Sequence, residues 1–254
     1  MKISLLLLFA LALPLLMSAQ IVTKLHADSL VSEQYAVSVV YETLELTAGA
    51  PQAVLQKIDR VLKKAGLSKA HADSVFDTFV EFKKESMAGD NHYGGMGFSH
   101  ETTVSKVNTQ NGLFTVGIGV YEFAGGAHPN GWLVYYNFDI STGEQYGWRE
   151  IVQPGASDSL TAHAERAFRE AYEIEPYQAL SSQGHYFHAL SAEDYPFGEV
   201  KDGEFRLSDM FYLDGDDLVL YYNRYEIAPY VMPDTELRLP LSEVGKYLRL
   251  PKQD

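Results

Sequence analysis

The sequence contains no cysteine among its 254 residues. That excludes disulfides, thiol nucleophiles, thiolate metal sites and a lipid anchor on an N-terminal cysteine. Cations are scarce: 20 Lys and Arg face 34 Asp and Glu, for a formal charge of −14. No basic patch stands out, so nucleic acid is excluded as a partner. Long apolar runs are missing after the first twenty residues, and so are repeats and low-complexity tracts. No Gly-x-Ser-x-Gly elbow, EF-hand loop or complete P-loop is present. The glycine-rich stretch Gly89–Ser99 lacks a preceding strand and the closing Lys-Ser/Thr of a phosphate cradle.

What is there begins with Met1-Lys2, the apolar run Leu5–Leu16, and small residues at Ser18-Ala19 before Gln20. A short positive start, an apolar core and a small-residue end describe a secretory signal peptide covering residues 1–19. The run is shorter than the roughly 20 residues a membrane span needs. The expected location is therefore the periplasm or the medium, with no membrane span after cleavage. Without disulfides the mature chain must be stabilised by burial, and 17 Tyr with 13 Phe make aromatic packing its main resource.

Periodicity places the elements. Gln34–Leu46 alternates with Tyr35, Val37, Val39 and Tyr41 on one face and reads as a strand. Pro51 opens a helix through Val54, Leu55, Ile58, Val61 and Leu62, which Gly66 ends. Ser68 caps a second helix reaching Met87. Strands follow at Thr102–Val107, Leu113–Phe123 and Gly131–Asp139, with Asn111-Gly112 as a hairpin turn. A helix from Ser157 or Asp158 to Tyr172 comes next, then an irregular stretch, Glu173–Gly198. Short strands are expected at Phe205–Leu207, Leu218–Tyr225 and Thr235–Leu239, and Pro240 opens a last helix, Leu241–Leu248. Strands and helices without regular βαβ alternation indicate an α+β fold, mostly antiparallel, with two to four helices. A composition break divides it into two sequential halves, 20–144 and 145–254.

The most informative stretch is the loop Ala124–Asn130 between two alternating strands. Gly125 and Gly126 permit positive φ, Pro129 fixes φ, and His128 stands at the tip. Gly125-Gly126-Ala127-His128 followed by Asn137–Gly143 resembles the signature of a secreted bacterial domain. That domain is the extracellular part of RsiV-type anti-sigma factors and the non-catalytic part of PdaC-type peptidoglycan deacetylases. Leu218–Tyr222, then Tyr225–Tyr230 (YEIAPY), then Leu237–Glu243 resemble the family's later strand, turn and closing strand. The resemblance runs from about Val31 to Leu248, PdaC-like in the first half and RsiV-like in the second. It implies a two-part extracellular α+β domain, and in RsiV-type members a receptor for lysozyme. The chain departs from those relatives by lacking a sigma-binding segment and a deacetylase His-x-x-x-His pair.

These readings nominate Gly125, Gly126, His128, Asn130, Tyr225, Glu226 and Tyr230 as ligand-binding residues, with no catalytic residue, metal or cofactor expected. The partner is a basic protein such as lysozyme, or a cell-wall glycan held on Trp132, Tyr135 and Tyr136. The alternative is an envelope hydrolase using His128 and Glu226 as acid and base, which requires the two to meet. Both also have a plain structural role open to them, as a histidine pinning its loop and a buried, paired carboxylate. His185 and His188 have a metal-pair spacing but no third ligand nearby.

Overall fold

The computed structural model describes residues 20–88 and 96–251. The expected signal, residues 1–19, and most of the glycine-rich stretch, residues 89–95, lie outside these. The fold is α+β. Five strands, β1 (Val22–Ser32), β2 (Val37–Ala48), β3 (Phe98–Gln110), β4 (Leu113–Phe123) and β5 (Asn130–Asp139), form one sheet in that order. A second sheet holds β6 (Met210–Asp214), β7 (Asp217–Tyr222) and β8 (Thr235–Pro240), also in order. All strand pairs are antiparallel except β2–β3. That pair is parallel because helices α1 (Gln52–Lys64) and α2 (Lys69–Ala88) carry the chain back between them.

The helices sit where their apolar stripes can be buried. Val54, Leu55, Ile58 and Leu62 of α1 pack on Phe114, Val116, Ile118 and Phe138 of β4 and β5. Gly66, at φ 120°, ends α1, and the Ser68 hydroxyl accepts the His71 N–H to start α2. Helices α3 (Trp148–Ile151), α4 (Ser157–Ala171) and α5 (Leu241–Val244) surround the second sheet. Leu160, Ala164 and Phe168 of α4 share its core with Leu220, Tyr222, Leu237 and Leu239. Among the described residues no helix is long and apolar enough to cross a membrane.

Several expectations are corrected. β1 was not legible: eight of its eleven residues are exposed, so it carries no alternating apolar pattern. β3 is more than twice the expected length, because a bulge between Val104 and Lys106 interrupts its alternation. Phe205–Leu207 is not a strand; all three are buried, and the Leu207 N–H is taken by the Tyr195 hydroxyl at 3.0 Å. The last helix is a single turn that tightens at Gly245–Tyr247. Asn111 and Gly112 do form the β3–β4 turn, with φ of 51° and 78°.

The two sheets meet through side-chain amides. β6 is an edge strand, and its outward groups are met from the first sheet. Asn137 donates to Phe211 O at 2.9 Å, Asn108 donates to Leu213 O at 3.1 Å, and Gln110 bonds both N–H and C=O of Gly215. Asn223 returns the arrangement on β5: its Oδ1 accepts the Leu133 N–H at 2.7 Å and its Nδ2 donates to Leu133 O at 2.9 Å. Unpaired strand edges invite association, and amides that mimic a neighbouring strand remove the invitation.

Candidate functional site

Beside this junction lies a groove of about 650 Å³. Strand register builds its floor. Glu101 pairs with Tyr121 and Tyr121 with Gly131; Thr103 pairs with Gly119 and Gly119 with Leu133. Directly opposed residues point to the same face, so these six share the face turned away from α1 and α2. Gly119 keeps the floor low: a Cβ there would stand 2.9 Å from Thr103 Oγ1. The Glu101 carboxylate makes no hydrogen bond or ion pair among the described residues, and Tyr121 is 43% exposed.

The wall is the turn after β7. Glu226 accepts the Asn223 N–H at 3.0 Å, and the Glu226 N–H donates to Asn223 O at 3.0 Å. This forces Tyr225 to φ 65°, an uncommon conformation for a side chain of that size. Ile227 and Ala228 are buried behind it. Arg224 is paired with Asp234 at 3.6 Å, and Asp234 also accepts the Tyr221 hydroxyl at 2.8 Å. These bonds hold the turn that carries the aromatic rings.

Those rings stack. Tyr230 lies against His128 with centroids 4.3 Å apart and against Tyr225 at 5.3 Å. The Arg224 guanidinium lies over Tyr230 at 5.3 Å. His128 Nδ1 is 2.9 Å from Pro129 O, which can only accept, so that nitrogen carries the proton. Nε2 lies 3.4 Å from the Tyr225 hydroxyl. His128 thus joins the tip of one hairpin to the wall built by the other half.

Of the nominated residues, Asn130, Tyr225 and Tyr230 line the groove, and His128 backs it through the stack. Gly125 and Gly126 shape the loop, at φ 89° and 102°, without lining the groove. Glu226 lies beneath the wall, bonded to Arg206 at 3.2 Å. Burial pushes its carboxyl above the usual carboxylate value, against the pull of the Arg206 guanidinium. His128 and Glu226 are engaged with different partners and do not form an acid–base pair.

Trp132, Tyr135 and Tyr136 do not act together either. Tyr136 packs on the α1 side; Trp132 shares its face by alternation and is also among the residues that line the groove. Tyr135 is on the other face, 4.5 Å from Tyr212 and 5.4 Å from Tyr221. His185 is buried among Phe168 and Tyr172, where burial lowers its pKa, whereas His188 is exposed and 3.8 Å from Asp202. No cluster of three metal-ligating side chains occurs among the described residues. Sequence reasoning missed Glu101, Thr103, Tyr121, Arg224 and Asp234, which gather only through strand register and the amide junction.

Residues 149–242 match the model of DUF3298, a protein family of unknown function. No curated protein matches the sequence. Among solved structures, a DUF3298 family protein from Pseudomonas aeruginosa PAO1 is similar at TM-score 0.61 and 17% identity, over 91% of this chain and 96% of that one. A DUF3298 family member from Bacteroides fragilis NCTC 9343 is similar at TM-score 0.68 and 14% identity, over 91% and 95%. At such identities the likeness is one of fold.

Proposed function

We propose that the protein is an exported, non-catalytic binding domain of the bacterial cell envelope that holds a glycan, such as a peptidoglycan fragment, in the groove between the β3–β5 face and the turn after β7. The observation that carries this reading is the pre-set wall: a stacked His128–Tyr230–Tyr225 series facing the exposed Tyr121, with Glu101, Asp234 and Arg224 interspersed. Sugar rings offer C–H faces to aromatic planes and hydroxyls to carboxylates and guanidinium, which is the mixture this groove presents. The resemblance to RsiV-type and PdaC-type extracellular domains supports the same compartment and class. The test is calorimetric titration with soluble muropeptides and chitin oligomers. Tyr225→Ala and Tyr121→Ala should each weaken binding roughly tenfold with the melting temperature preserved. Saturable binding that neither substitution alters would remove the groove from the reading.

One observation favours a second partner, a basic protein of the lysozyme kind. The chain carries a charge of −14, and Glu101 on the groove floor is a carboxylate without a partner among the described residues. Titration with a c-type lysozyme at low and moderate salt separates specific from general attraction. A specific complex survives moderate salt, whereas attraction between net charges is screened away. Absence of binding at both would end the lysozyme reading and leave the glycan one standing.

A further inference from the structure

The five-stranded sheet ends at β1, and no other strand pairs with its outer edge among the described residues. The edge is eleven residues long, and eight of them are exposed, including Leu25 at 50% and Val31 at 65%. A long edge of this kind presents a row of N–H and C=O groups to any second strand. The free edge of β6 is covered by Asn137, Asn108 and Gln110, and Leu133 on β5 by Asn223; β1 has no such cover among the described residues. What it has is a charge pattern. Lys24, His26 and Asp28 alternate along one face, cation first and carboxylate last. The Asp28 carboxylate is held by the Ser29 N–H at 2.8 Å and the Tyr41 hydroxyl at 3.2 Å.

We propose that β1 pairs antiparallel with β1 of a second copy of this chain, about a two-fold axis at His26. A strand reversed about that residue sets His26 opposite its own copy and is complementary to itself on either side of that pair. Lys24 stands opposite the partner's Asp28, and Asp28 opposite the partner's Lys24. On the same register Val22 meets the partner's Leu30, and Leu25 meets the partner's Ala27. Neighbouring registers are poorer. An axis at Ala27 sets Lys24 against an apolar leucine, an axis at Leu25 sets it against a histidine, and an axis at Asp28 sets that carboxylate against its own copy. The pairing is isologous and closed, so it gives a dimer with one continuous ten-stranded sheet rather than a fibre. It lies at the opposite edge of the sheet from β5 and does not depend on the groove or on any ligand.

The experiment is sedimentation equilibrium on the purified protein and on two charge variants, Lys24→Asp and Asp28→Lys. The parent should show a monomer–dimer equilibrium. Each variant alone places two like-charge pairs across the axis and should raise the dissociation constant roughly tenfold or more. The two variants mixed should recover a dimer of near-parental affinity. One chain then carries a carboxylate at both positions and the other an ammonium at both, so each pair across the axis is again of opposite sign. A parent that stays monomeric to millimolar concentration overturns the proposal. So does a dimer indifferent to both substitutions, or a mixture that dimerises no better than its components. Tyr41→Phe, which removes a bond to Asp28 without changing charge, should leave the dimer intact and separates a local folding defect from loss of the ion pairs.

Discussion

Arg206 is the residue on which the groove wall rests. It is buried, its guanidinium reaches Glu226 at 3.2 Å and Asp209 at 3.9 Å, and its Nε has no partner among the described residues. Burial raises both carboxyls and Arg206 pulls both down. Arg206→Met would leave Glu226 buried and uncompensated, at a cost of about 3 kcal/mol near pH 8. The sign of its pH dependence follows from the raised pKa. The folded state binds the Glu226 proton more tightly than the unfolded state does, so the penalty accumulates as pH rises from the ordinary carboxylate range through the elevated folded value. Below that range the protonated acid is tolerated. Urea denaturation should therefore show a smaller gap between variant and parent at pH 5 than at pH 8. An equal gap at both would place the loss in packing rather than in charge.

At the scale of elements, β4 is what lets the two sheets approach. Gly117 faces the second sheet, and a Cβ there would stand 2.6 Å from Ser105 Oγ and 2.8 Å from Tyr135 Cε1. Gly117 is not needed for a positive φ; it is needed for space. Gly126, at φ 102° with nothing within 4 Å of its missing Cβ, is the reverse case. Gly117→Ala should destabilise by about 1–3 kcal/mol through displacement of Tyr135 from Tyr212 and Tyr221. Gly126→Ala should cost about 1–2 kcal/mol through backbone strain and leave those rings in place. Thermal unfolding compares the two, and near-ultraviolet dichroism distinguishes them: only Gly117→Ala should perturb the tyrosine signal.

Across the whole molecule, the junction between the sheets is built from phenols as well as amides. Burial pushes Tyr135 up to about 12 and holds Tyr212 and Tyr221 well above the ordinary phenol value. The Tyr212 and Tyr221 hydroxyls each donate at 2.8 Å to Glu236 and Asp234, which strengthens the effect. These groups keep their protons in the fold and lose them near pH 10 when unfolded. Stability should fall as pH climbs above about 10, since the unfolded state then releases protons that the native state retains. Urea denaturation at rising alkaline pH should show this slope, and Tyr135→Phe should flatten it. An unchanged slope would mean that Tyr135 ionises equally in both states.

Local and periodic signals in the sequence determined the α+β class, helices α1, α2 and α4, the Asn111-Gly112 turn and the paired strands β4 and β5. Each rests on a rule that operates within about ten residues: a 3.6-residue stripe, a cap, a positive φ, an alternation. Tyr225 and Tyr230, which line the groove, stood out because their turn carries a recognisable order of residues. Tertiary structure alone decided the rest. β1 had no pattern to read because it buries almost nothing. Glu101, Tyr121 and Asp234 reach one groove from both halves of the chain, through a register that no local rule fixes. Trp132, Tyr135 and Tyr136 looked like one aromatic surface until strand alternation set two of them on one face and the third on the other. Glu226 and His128 sit within reach of the same wall, yet Arg206 claims one and Pro129 the other. The sequence supplied the residues; which of them meet was set by the packing of one sheet on the other.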